Sequence, residues 1–134
     1  MNLGFQRKTD LAMRAMQGLG RPGVKRSGAE LSASIGTTAA FLPQVIAPLI
    51  DNGWITSERG PGGGYALTEA SADVSLFDIL EATQGPTVDG RCVLRDQPCP
   101  GSEGCDVHAA WTAAREVFVE RLREIPAIPA GEAT

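Results

Sequence analysis

The chain has 134 residues, 43% of them hydrophobic, with three cysteines, one histidine and a formal net charge of -4. That length suits one compact domain with an attached arm, and no apolar run reaches the roughly 20 residues that span a membrane. The opening MNLGFQRKTD lacks the apolar stretch of a secretory signal, so the sequence reads as cytoplasmic, where stable disulfides are rare.

Residues 6 to 19, QRKTDLAMRAMQGL, place Leu11, Ala12, Ala15, Met16 and Leu19 at helical spacing, and Gly20, Pro22 and Gly23 end the run. SGAELSASIG predicts a short second helix with a capping box from Ser27 to Glu30 and a stop at Gly36. TTAAFLPQVIAPLIDNG predicts a third, capped by Thr37 or Thr38, with Phe41, Leu42, Val45, Ile46, Leu49 and Ile50 on its apolar side. One short and one longer helix around a glycine make a helix-turn-helix pattern. WITSERGPGGGYALT follows with two short apolar-rich strands around a charged, glycine-rich turn, which is the layout of a wing.

VSLFDILEATQGP predicts a further helix, with Ser75 and Asp78 as its capping box and Val74 and Ile79 as a hydrophobic staple. VHAAWTAAREVFVERLREI predicts a long last helix, capped by Asp106 and stopped by Pro126. Its stripe of Trp111, Ala114, Phe118, Leu122 and Ile125 is expected to pair with a second copy, with part of it packing within the chain. Charge is segregated: Arg7, Lys8, Arg14, Arg21, Lys25 and Arg26 stand against Asp10 alone between residues 5 and 26. A basic stripe of this kind outweighs an acidic total as a sign of nucleic-acid binding.

All three cysteines and the only histidine lie in RCVLRDQPCPGSEGCDVHAAW, residues 91 to 111. Cys92, Cys99, Cys105 and His108 are soft or borderline ligands that suit zinc or an iron–sulfur cluster. Zinc sites usually contain a closer cysteine pair, and the long arms here suit a larger centre. His108 is expected about one turn into the last helix, on the side of Cys105.

Together these segments resemble the Rrf-two family of bacterial transcriptional regulators. The resemblance runs from residue 3 to residue 124 and is carried by KTDLAMRAM, AFLPQVIAPLIDNGWI, ERGPGGGYALT, SLFDILEATQGP and the loop ending CDVHAAW. It implies a mainly α fold with a small β-hairpin wing. A winged helix-turn-helix head would occupy residues 1–86, a cluster-binding loop 87–105, a dimerisation helix 106–125 and a flexible tail 126–134. It further implies a homodimer acting on a double-stranded DNA operator, no membrane association and no enzymatic activity. An iron–sulfur cluster would set DNA affinity through redox state, nitric oxide or cluster supply.

By the same resemblance Cys92, Cys99 and Cys105 are the thiolate ligands. His108 stands where members that regulate cluster assembly place the fourth ligand of a 2Fe–2S centre. Asp10 stands where members that sense nitric oxide supply an aspartate from the other subunit to a 4Fe–4S centre. Histidine is an established 2Fe–2S ligand in other folds, which favours His108 and the smaller cluster. Arg59 and Gly60 match the wing contact, while Arg7 and Lys8 are expected on phosphates. Pro43 departs from the pattern, since cluster-assembly members carry a base-reading glutamate there. Gln44, Thr37 and Thr38 are therefore the expected polar contacts. A metal-free thiol sensor on the same head and a zinc-stabilised protein-interaction module are the alternatives.

Overall fold

The structure is a computed structural model, and it describes residues 5–87, 90, 98, 100–101 and 105–129. Helix α1, Arg7–Leu19, sits at the centre of the head because its apolar stripe is almost continuous. Leu11, Ala12, Ala15, Met16 and Leu19 are all buried, and the helix packs on the three other helices of the head and on the second strand of the wing. Helix α2, Gly28–Ile35, begins where the Ser27 hydroxyl accepts the Glu30 N–H at 3.1 Å. The reciprocal half of that predicted capping box is replaced, as the Glu30 carboxylate lies 4.0 Å from Arg26. Gly36, at φ 79°, ends the helix in the left-handed conformation that a side chain would disfavour.

Helix α3, Leu42–Asp51, starts later than its threonines imply. Thr38 caps a preceding turn, its hydroxyl accepting the Phe41 N–H at 3.1 Å. Pro43 sits in the first turn, where its missing N–H removes no helical bond. Pro48 is inside the helix, so the Gln44 carbonyl has no N–H four residues on. Strands β1, Ile55–Glu58, and β2, Gly64–Leu67, pair antiparallel with Ile55 opposite Leu67 and Glu58 opposite Gly64. A third short edge comes from Arg26, whose N–H donates to the Tyr65 carbonyl at 2.9 Å and whose carbonyl accepts the Tyr65 N–H at 2.8 Å. This ties the wing to the entrance of α2.

A 3-10 turn, Glu69–Asp73, leads into helix α4, Leu76–Gln84. Here the full capping box forms: Ser75 N–H donates to Asp78 Oδ2 at 2.9 Å and Asp78 N–H donates to Ser75 Oγ at 3.2 Å. Val74 and Ile79, the expected staple, are both buried in the main core.

Helix α5, His108–Glu124, corrects two expectations. Its N-cap is Val107, with no side-chain capping bond, so Asp106 is not the cap. His108 is accordingly the first helical residue rather than one turn inside. Leu122 packs with Phe77 and Leu80 in a second small cluster, and the Arg123 guanidinium lies 4.1 Å from the Phe77 ring centroid. The chain then returns to the head. Leu76 N–H donates to the Ile125 carbonyl at 2.9 Å, Ala127 N–H donates to the Val74 carbonyl at 2.8 Å, and Ala127 is fully buried. Residues 126–128, expected to begin a flexible tail, are thus docked by backbone pairing and a small side chain that fits the core. Residues 130–134 of that tail lie outside the described residues.

Candidate DNA interface and metal-ligating loop

The predicted DNA contacts lie at the start of α1, in the turn before α3, at the start of α3 and at the wing tip. Gln44 is exposed near the start of α3, beside exposed Pro43 and Ala47, because Leu42, Val45, Ile46 and Leu49 take the inward positions. Thr38 is exposed but engaged as a cap, and partly buried Thr37 donates its N–H to the Ser32 carbonyl at 2.9 Å. Arg7 is exposed and donates from Nη2 to the Gly36 carbonyl at 3.3 Å, which brings the start of α1 to the turn between α2 and α3. Lys8, next to it in sequence, is half-buried.

Arg59 and Gly60 are exposed at the wing tip, where Gly63 N–H closes the turn on the Gly60 carbonyl at 2.9 Å. Lys25 and Glu58 form an ion pair at the wing. Arg26 donates to the Gly18 carbonyl at 3.0 Å. Neither contact was legible in the sequence, because each joins residues with no pattern linking them. Both turn basic side chains of the segregated stripe into structural braces.

Of the candidate metal ligands, Cys92 and Cys99 lie outside the described residues. Cys105 is buried, and its carbonyl accepts the N–H of His108, the first residue of α5, at 3.2 Å. His108 is half-buried. Asp10 is half-exposed on α1 and pairs with Arg14 at 3.2 Å, the i,i+4 partner. Among the described residues no three His, Cys, Asp or Glu side chains converge. The donor types still suit iron–sulfur ligation: a buried thiol and an imidazole three residues on in sequence, after two further cysteines.

A polar network that the sequence did not disclose lies where that loop departs. Thr9, fully buried, has its hydroxyl 2.6 Å from Thr83 Oγ1 and donates to Gln84 Oε1 at 2.6 Å. The same amide oxygen accepts the Gln6 N–H at 2.8 Å. The start of α1 is therefore pinned to the end of α4.

The expected dimerisation stripe divides. Leu122 is buried within the chain, whereas Ala114, Phe118 and Ile125 are exposed and Trp111 is half-buried. Phe5 stacks on Phe118 with centroids 6.3 Å apart, and Val117 beside it is 58% exposed. No helix among the described residues is long and apolar enough to cross a membrane.

Comparison with known proteins agrees with this architecture. The model of the Rrf2 family, described as "Iron-dependent Transcriptional regulator", matches residues 5–126. The HTH-type transcriptional regulator IscR of Photorhabdus laumondii is 32% identical over 83 residues, covering 62% of this chain and 50% of the relative. The chain spans between 50% and 59% of the length of the first curated relatives it matches. Among solved structures, CymR of Staphylococcus aureus superposes with a TM-score of 0.74 at 22% identity, covering 96% of this chain and 98% of that one. IscR of T. potens superposes with a TM-score of 0.68 at 23% identity, covering 95% and 85%. These relatives are regulators and not enzymes. A helix-turn-helix carrying a braced wing, followed in sequence by a cysteine-bearing segment and a long helix, matched to the family over nearly its whole length, places this chain in the Rrf2 family of winged helix-turn-helix transcriptional regulators.

Proposed function

We propose that the chain is a homodimeric regulator of transcription whose affinity for a double-stranded operator is set by an iron–sulfur cluster. Cys92, Cys99 and Cys105 would hold the cluster, with His108 as fourth ligand to a 2Fe–2S centre. The partner's Asp10, on a 4Fe–4S centre, is the alternative. Bound there, such a cluster would supply one-electron redox chemistry and reactivity toward nitric oxide or oxidants.

The observation that carries this reading is the junction of Cys105 and His108 at the mouth of α5, between two anchored points. Upstream, Thr9 pins the end of α4 to α1. Downstream, Ala127 latches the end of α5 to the head. Joint ligation by loop thiols and the first residue of α5 would hold the near end of the helix as well. Paired α5 helices would then set the spacing of two recognition helices against half-sites about 34 Å apart. Gln44, Thr37 and Thr38 would face bases, with Arg7, Lys8 and Arg59 on the backbone or in the minor groove.

The test is anaerobic purification with iron, sulfide and zinc quantified and Mössbauer spectra recorded, repeated on His108→Ala and Asp10→Ala. Operator affinity is then measured with and without the cluster at fixed salt. Equal affinity of both forms for every operator would sink the regulatory reading. Iron-free protein that still responds to oxidant would point to thiol sensing, and stoichiometric zinc to a zinc-stabilised module.

A further inference from the structure

The helix-turn-helix carries no basic side chain. Between Arg26 and Arg59 the sequence contains neither Lys nor Arg, and that stretch includes all of α2 and α3. Arg26 itself is engaged with the Gly18 carbonyl at 3.0 Å and lies 4.0 Å from Glu30. The commonest specific major-groove contact, Arg or Lys to the O6 and N7 of guanine, has no donor here. What this face does present is apolar. Ala39, Ala40, Pro43 and Ala47 are exposed around one long polar side chain, Gln44. Thr38 is short and already used in capping.

Resting on the regulator reading above, we propose that this recognition surface selects A·T base pairs through Gln44 and a collar of aliphatic carbon. The Gln44 amide has the donor and acceptor to pair with adenine N7 and N6 together, an arrangement guanine does not match because its O6 is an acceptor. The methyl and ring carbons of Ala39, Ala40, Pro43 and Ala47 offer surface for the 5-methyl of thymine, the one apolar group in the groove. A cytosine amine at those places would lose water with no acceptor to receive it. Pro43 and Pro48 flank Gln44 within α3 and restrict the backbone on both sides of it. Affinity independent of sequence then falls to basic residues outside the motif, among them Arg7, Lys8 and Arg59.

The experiment is selection of duplex DNA from a random library by the full chain, both anaerobically reconstituted and cluster-free. The selected site is then titrated with base analogues and Gln44 variants. A·T pairs are expected at the positions α3 contacts. Replacing a contacted thymine by deoxyuridine, which deletes only the methyl, is expected to weaken binding about fourfold. Gln44→Ala should erase about tenfold of A·T preference at one base pair and leave the others unchanged. Gln44→Arg should move that preference to G·C, a change of specificity that loss of folding cannot mimic. Enrichment of guanine at the α3 positions by the wild-type chain, or deoxyuridine substitution without effect, overturns the inference while the regulator reading stands. Retention of no DNA in either form overturns both.

Discussion

Gly64 offers the most quantitative test of how the wing is held. It sits at φ 149°, and a Cβ added there would overlap the Arg26 carbonyl oxygen, with the carbonyl carbon at 2.8 Å and Ser27 N at 3.3 Å. These are backbone atoms, so no rotamer change relieves the clash. Gly64→Ala must separate the wing from the α2 entrance and lose the two backbone bonds between Arg26 and Tyr65. Two such bonds contribute about 2 kcal/mol together, and the strained backbone adds about 1 kcal/mol. Unfolding entropy of about 2.1 cal/mol/K per residue over 134 residues amounts to about 0.28 kcal/mol/K. The expected loss of about 3 kcal/mol thus lowers Tm by about 11 °C.

Gly62→Ala is the matched control. Gly62 has φ 77° with nothing within 4 Å of an added Cβ, so it incurs only the conformational penalty of about 1 kcal/mol. Thermal unfolding of both variants at one protein concentration, cluster-free, separates clash from strain. Equal Tm values for the two would refute the claim that the close approach to Arg26 braces the wing.

Thr9→Val should cost about 1 kcal/mol, or 3 to 4 °C in Tm. Only two hydroxyl protons serve the contacts of Thr9 and Thr83, and Thr83 still donates to the Ile79 carbonyl while Gln84 still accepts from Gln6. A denaturant titration showing a loss above about 3 kcal/mol would mean that more than this hydroxyl couples α1 to α4. In the proposed dimer, Val117→Glu should give a monomer in sedimentation while near-ultraviolet dichroism stays native, since Val117 is 58% exposed within the chain. Arg59→Ala should weaken binding to all sequences by a similar factor and reduce the slope of log affinity against log salt by about one, measured by fluorescence anisotropy.

The local grammar of the chain was legible without coordinates. Apolar spacing placed α1 and α3, and end signals placed α4. Ser75 with Asp78 marked a true capping box, and WIT and YAL around glycines marked the hairpin. Each of these signals acts over a few residues, which is why sequence alone can carry it. Ser27 and Glu30 show the limit of such signals: the pattern matches that of Ser75 and Asp78, yet a nearby Arg26 draws the carboxylate away. Asp106 shows it again, being a good capping residue one position before the Val107 cap.

The candidate site was legible as chemistry and not as placement. The crowding of Cys92, Cys99, Cys105 and His108 singled out candidate ligands by residue type, and the absence of basic residues between Arg26 and Arg59 was open to inspection. The tertiary structure alone decided that Thr9 meets Gln84, that Arg26 pairs with Tyr65 across the wing, and that Ala127 enters the core beside Val74. These contacts join residues 39 to 75 positions apart in sequence. Only packing of the whole chain, which trades loop-closure entropy for buried area, determines which distant groups share a surface.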